Sequence, residues 1–126
     1  MKLYLAGPLF TLAERQFNER LAELVSQATG VEVILPQERA KLFLGKSDGL
    51  RLIFKDCLEM VDASDVVLAI LDGADADSGT CVELGYAWGR GKPVIGVRTD
   101  FRSSEDRGLN SCLMFARYWW RTVRGG

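Results

Sequence analysis

A chain of 126 residues suits one domain built round one core, taken here as residues 1–126. Hydrophobic residues make up 48% and charged residues 26%, and a formal net charge of -1 argues against a nucleic-acid or membrane surface and for small ligands of modest charge. The chain has no histidine, which removes Ser-His-Asp and Cys-His catalysis and most zinc chemistry, so acid–base work falls to carboxylates, tyrosine, lysine or cysteine.

The opening "MKLYLAGPLF" is an apolar run broken by Gly7-Pro8, too brief to span a bilayer and unlike a signal peptide. Residues 2–6 read as a buried strand ending in a turn. The next segment, "TLAERQFNERLAELVSQATG", places Phe17, Leu21, Leu24, Val25 and Ala28 at helical spacing. Thr11 and Glu14 form a capping box at its start, and Gly30 stands where a helix stop belongs. "VEVILP" is a second strand closed by Pro36, and residues 37–48 read as a loop with room for a helical turn. Leu50, Ile53, Phe54, Cys57, Leu58 and Val61 predict a helix over about 49–63. "DVVLAIL" is a continuous apolar run, typical of a central strand covered on both faces. A helix is predicted over 80–90, a fourth strand at "KPVIGVR", a charged loop over 99–109, and a helix over 110–120, with "YWWRTVRGG" open to an edge-strand reading instead.

This βαβ(α)βαβα order implies an α/β fold with a parallel sheet and right-handed crossovers, in strand order 2-1-3-4 with a fifth strand short or absent. Cys57, Cys81 and Cys112 are odd in number and form no CxxC motif; they read as buried reduced thiols, which points to a cytoplasmic protein.

In such sheets ligands bind outside the carboxyl ends of the strands. The third strand delivers "DGADADSGTCVE" to that rim. Thr80 and Glu83 fit a T-x-x-E capping box, which gives Glu83 a purely structural reading. Equally, an ionised carboxylate favoured by a helix N-terminus can attack an anomeric carbon or stabilise its positive charge. Asp77, in the same loop, can then manage the leaving group's proton, and Gly79 permits a close approach. Tyr4 lies on the strand expected beside the third and can hold Glu83 by a hydrogen bond, or it is a core tyrosine satisfied elsewhere. Asp56 sits beside an apolar stripe with no basic residue three or four positions away, so it needs a task or faces solvent. In "GPLF", at the end of the first strand, Gly7 opens the loop, and Leu9 and Phe10 offer an apolar wall for a flat base or a hydrophobic staple across Thr11. The loop matches no phosphate-binding pattern.

"LYLAGPLF", the "KDC" around Asp56 and "DSGTCVELGYAWGRGKPVIGV" resemble the nucleoside 2-deoxyribosyltransferases over roughly residues 2–98. The resemblance implies a flavodoxin-like fold, a homo-oligomer whose sites borrow residues from a neighbouring subunit, and transfer of 2-deoxyribose between bases with no metal or organic cofactor. It implies that Glu83 attacks C1′, that Tyr4 orients Glu83, and that Asp77 and Asp56 contact the base and handle its proton. The family's late asparagine near a methionine, which binds the sugar's 5′-hydroxyl, corresponds in "GLNSCLMFAR" to Asn110 and Met114, or to Cys112 if "LMFAR" sets the register. Two competing expectations are a 2′-deoxynucleoside 5′-phosphate N-hydrolase, in which water resolves the intermediate, and a non-catalytic ligand-binding module of the same fold. An acidic Mg²⁺ site from Asp72, Asp75 and Asp77 is a further possibility.

Overall fold

The centre of the sheet is made by β1 (Lys2–Ala6) and β3 (Val66–Ile70), flanked by β2 (Glu32–Ile34) and β4 (Val94–Arg98), with β5 (Tyr118–Arg121) outside β4. The computed structural model describes residues 1–100 and the backbone of 118–121. All pairings are parallel and the order is β2-β1-β3-β4-β5, the order expected from the alternation of strands and helices. A short fifth strand is therefore present, and the helix expected to reach residue 120 is replaced over 118–121 by the edge strand. Three aromatic residues in the run "YWW" favour a pleated ladder over a helical turn. Residues 110–117 lie outside the described residues.

Side chains alternate across each strand, so one sequence feeds two cores. Tyr4, Ala6, Val67, Ala69 and Leu71 face α3 (Gly49–Ala63) and α4 (Ser78–Gly89), where Met60, Val61, Leu84 and Ala87 meet them. Leu3, Leu5, Leu68 and Ile70 face the opposite side, against Ala22 of α1 (Leu12–Thr29). Burying each larger apolar side chain in these layers contributes about 1.5–3 kcal/mol. The alternation also settles where Tyr4 points: to the side on which α3 and α4 lie.

The ends of α1 follow its sequence. Glu14 N donates to Thr11 Oγ1 at 3.1 Å and Thr11 N to Glu14 Oε1 at 2.7 Å, closing the capping box, and Gly30 stops the helix with φ of 71°. Its inward face is turned from the expected stripe. Asn18 and Ala22 are buried with Leu21 and Val25 partly so, whereas Leu24 and Ala28 are exposed. The reason is polar: Asn18 is drawn inward by partners on the first loop and beyond β2. In the stretch read as a loop, Pro36–Ala40 forms a short helix, α2, with Pro36 in its first turn.

The reading of three reduced cysteines holds for Cys57, which is a free thiol. It fails for Cys81, which is disulfide-bonded. Pairing depends on Cα separation in space, which wide spacing along the chain does not report.

Candidate active site

The loop from β3 to α4 decides what Glu83 does. Asp77 is the N-cap of α4, and its Oδ2 accepts from Thr80 N at 3.0 Å and from Thr80 Oγ1 at 3.2 Å. The helix thus starts at Ser78 rather than residue 80, and Thr80 is inside it. Glu83 therefore stands in the second turn, beyond reach of a capping box, and the T-x-x-E reading is replaced by an aspartate cap. Gly79 sits close under that cap: a Cβ there would lie 3.2 Å from Asp77 Oδ2.

Glu83 lines a cavity of ≈ 330 Å³ between α3 and α4, with Ile53, Phe54, Cys57, Leu58, Ser78 and Gly79 on its walls. The lining is mostly apolar, as small-molecule sites are. Burial pushes the Glu83 carboxyl from 4.5 up to about 7, and the Asp77 charge adds to the rise, while the Tyr4 hydroxyl acts the other way. The helix N-terminus was expected to favour the carboxylate; at one turn's depth, desolvation outweighs it.

Tyr4 is fully buried on β1, paired with Ile34 and Val67 of its neighbours. Its hydroxyl adjoins Glu83 and Cys57, and burial, then these two groups, drive its ionisation far upward. It makes no hydrogen bond of regular geometry. The expected Tyr4–Glu83 contact is thus a juxtaposition of the two groups without a regular hydrogen bond.

Asp56 is buried, and Arg39 of α2 holds it by a two-pronged pair, Nε to Oδ2 at 2.8 Å and Nη2 to Oδ1 at 2.7 Å. The basic partner absent from its own helix comes from another element. The pair borders a different groove, with Ile34, Leu35, Glu38 and Glu59, and Asp56 is not among the residues lining the Glu83 cavity. The structure therefore brings together Glu83, Tyr4, Asp77 and Gly79, and sets Asp56 behind them.

The first loop is also held apart from that cavity. A Cβ on Gly7 would meet Ile70 Cδ1 at 2.9 Å, so the turn passes tightly over β3. Arg15 Nη1 donates to Leu9 O at 3.2 Å and Phe10 O at 2.7 Å. Arg15 occupies the position where a staple needs an apolar partner, and Phe10 is 72% exposed, so no hydrophobic staple forms. Neither Leu9 nor Phe10 lines the Glu83 cavity.

Three further residues support the rim without a signal in the sequence. Buried Asn18 donates to Pro8 O and to Gln37 Oε1, each at 3.0 Å, tying the first loop to α1 and α2. Buried Arg98 donates to Leu71 O at 2.7 Å and Gly73 O at 2.9 Å, fixing the loop that carries Asp77. Asp72 accepts from Thr99 N at 2.5 Å and Asp100 N at 2.8 Å, and so locks two loops instead of facing Asp75 and Asp77. Among the described residues no three His, Cys, Asp or Glu side chains are gathered to hold a metal ion. Asn110, Cys112 and Met114 lie outside the described residues. Among the described residues no helix is long and apolar enough to cross a membrane.

Comparison with known proteins bears on the fold and the family. The chain is 35% identical over 96 residues to an uncharacterized protein of Ureaplasma parvum, a match covering 68% of this chain and 58% of that protein. A solved 2-deoxyribosyltransferase from Bacillus psychrosaccharolyticus superposes with a TM-score of 0.74 at 27% identity, over 97% of this chain and 87% of the other. The CMP N-glycosidase of Clostridium botulinum shares the fold, with a TM-score of 0.62 at 16% identity over 98% of this chain and 90% of that one. The sequence model of the nucleoside 2-deoxyribosyltransferases matches residues 3–114, and the chain belongs to that family.

Proposed function

We propose that the protein transfers 2-deoxyribose between nucleobases through a covalent ester on Glu83. The observation that carries this reading is a half-buried carboxyl, pushed up to about 7, facing an apolar cavity at the carboxyl-end rim of the sheet. A carboxylate there meets little competing water and retains full nucleophilic charge once its proton leaves.

In this scheme the C1′–N bond lengthens, positive charge grows on the sugar ring, and a Glu83 oxygen closes on C1′ from the opposite face. The bonding electrons pass to the base nitrogen, which takes a proton as the base departs. Asp77 is the group proposed to relay it: Oδ2 is committed to Thr80, which leaves Oδ1 to take the proton that Glu83 gives up and pass it to the base. Tyr4 steadies the Glu83 carboxylate as charge leaves it. A second base then attacks C1′ from the vacated face, so two inversions give net retention. No metal or organic cofactor enters these steps. Asp56 is proposed to contact the base through the lone pairs that Arg39 leaves free on its two oxygens, while the ion pair pins α2 against α3. Gly7, Leu9, Phe10, Asn110 and Met114 are proposed to bind substrate from outside this pocket.

Leu50 at 86% and Phe54 at 54% exposure stand at the cavity mouth with Val82. Apolar side chains so placed suit cover by a second copy of the chain, and we propose a cytoplasmic homo-oligomer with shared sites. A second reading, favoured by the fold shared with an N-glycosidase, has water resolve the ester. Incubation with a deoxynucleoside and a different free base separates the two. Transfer predicts a new nucleoside and faster turnover as the base concentration rises; hydrolysis predicts free deoxyribose at a rate indifferent to added base.

A further inference from the structure

The cavity wall carries a thiol that the reaction scheme does not use. Cys57 is a free, half-buried cysteine of α3, lining the same cavity as Glu83 and packed against the core layer that contains Tyr4. The Tyr4 hydroxyl is fully buried and lies next to both groups, yet it closes a regular hydrogen bond with neither. A phenol has one proton to give. Two acceptors face it here, and a buried donor left between them is costly enough to need a reason.

We propose that Cys57 is a positioning residue for Glu83, its sulfur competing with the Glu83 carboxylate for the single Tyr4 hydroxyl proton. The inference rests on the reading of Glu83 as nucleophile. Its physical content is that Tyr4 holds the carboxylate loosely. A phenol bonded fully to Glu83 would keep the carboxylate ionised but would also lower its nucleophilicity; a phenol divided with a sulfur leaves the oxygen freer to attack. The thiol suits this part. Burial pushes it up to about 11, so it stays neutral and does not set a second negative charge beside Glu83. Among the described residues, the charged and titratable groups facing Glu83 are Tyr4 from β1, Cys57 from α3 and Asp77 from the loop before α4. Asp56 faces Cys57 but is paired with Arg39.

The test is a double-mutant cycle on the intact protein with Cys57→Ala, Tyr4→Phe and the pair. Two readouts are taken: the Glu83 midpoint by carbon NMR of labelled glutamate carboxyls, and the acid limb of kcat/KM. Cys57→Ala turns the phenol wholly to Glu83 and lowers its midpoint from about 7 by about half a unit to one unit. Tyr4→Phe raises it, and in the Tyr4→Phe background Cys57→Ala has no further effect. Cys57→Val removes the polar sulfur while filling its space with a slightly larger apolar side chain; it gives the same shift and serves if the alanine variant does not fold. An equal shift in both backgrounds would mean that removing sulfur merely admits water, and would overturn the proposal, as would no shift at all. The NMR midpoint is read without turnover, so a catalytic role lost by Glu83 and a competition absent at Tyr4 are told apart.

Discussion

Glu83 is the residue on which the proposed chemistry and stability pull in opposite directions. A carboxyl raised by burial binds its proton more tightly in the folded chain than in the unfolded one. Stability therefore falls as pH rises through the window from 4.5 to about 7, and stays lowered above it. Glu83→Gln carries no such charge. Urea unfolding should find this variant more stable than the parent at pH of about 8, by at most about 3 kcal/mol, with the gap closing below the ordinary carboxyl range. Equal stability at both pH values would show that burial of the charge is slight. Much of this residue's setting is visible beforehand: "GTCVELGYA" marks the site, and Asp77 and Tyr4 fall near it. The capping alternative looks equally sound on paper, because Thr80 and Glu83 have the right spacing. Only the start of α4 at Ser78 separates them, and helix starts are set by which side chain reaches the first amides.

At the scale of elements, α4 hangs on Asp77, which both caps the helix and lies near enough to Glu83 for its charge to act there. The two tasks come apart by substitution. Asparagine caps about as well as aspartate, whereas alanine does not, at a cost of about 1 kcal/mol. Asp77→Asn should keep the parental unfolding midpoint while slowing base release from a deoxynucleoside; Asp77→Ala should lose both. An asparagine variant with unchanged rates would remove Asp77 from the reaction. The α2–α3 contact offers a second case. Arg39→Ala strands the buried Asp56 carboxylate and should lower the urea midpoint, and adding Asp56→Asn should recover part of the loss because no buried charge remains. If the double variant is no better than the single one, the ion pair is not what secures α2. This pairing is invisible to helical spacing, since Arg39 and Asp56 lie 17 positions apart on different helices. The polar inner face of α1 is hidden for a like reason: Asn18 goes inward for Pro8 and Gln37, partners that periodicity does not register.

Across the whole molecule, the order of apolar runs was sufficient to lay out the sheet. Continuous runs at 2–6 and 66–70 mark strands covered on both faces, and short right-handed crossovers leave the order β2-β1-β3-β4 as the natural solution. What depends on distant side chains meeting is less visible: the loop lock of Asp72 with Thr99 and Asp100, Arg98 beneath the rim, and the bond at Cys81. Glu83 of α4 and Cys57 of α3 line one cavity, with Tyr4 of β1 buried beside them and Asp77, the cap of α4, near enough for its charge to act on Glu83, which is what the account requires of the fold. Its most direct test is mass spectrometry of the protein quenched in acid during turnover of a 2′-deoxynucleoside. The account predicts a deoxyribosyl group on the peptide containing Glu83, absent from Glu83→Ala and discharged by added base. Turnover with no adduct on that peptide, or an adduct that persists in Glu83→Ala, would contradict it.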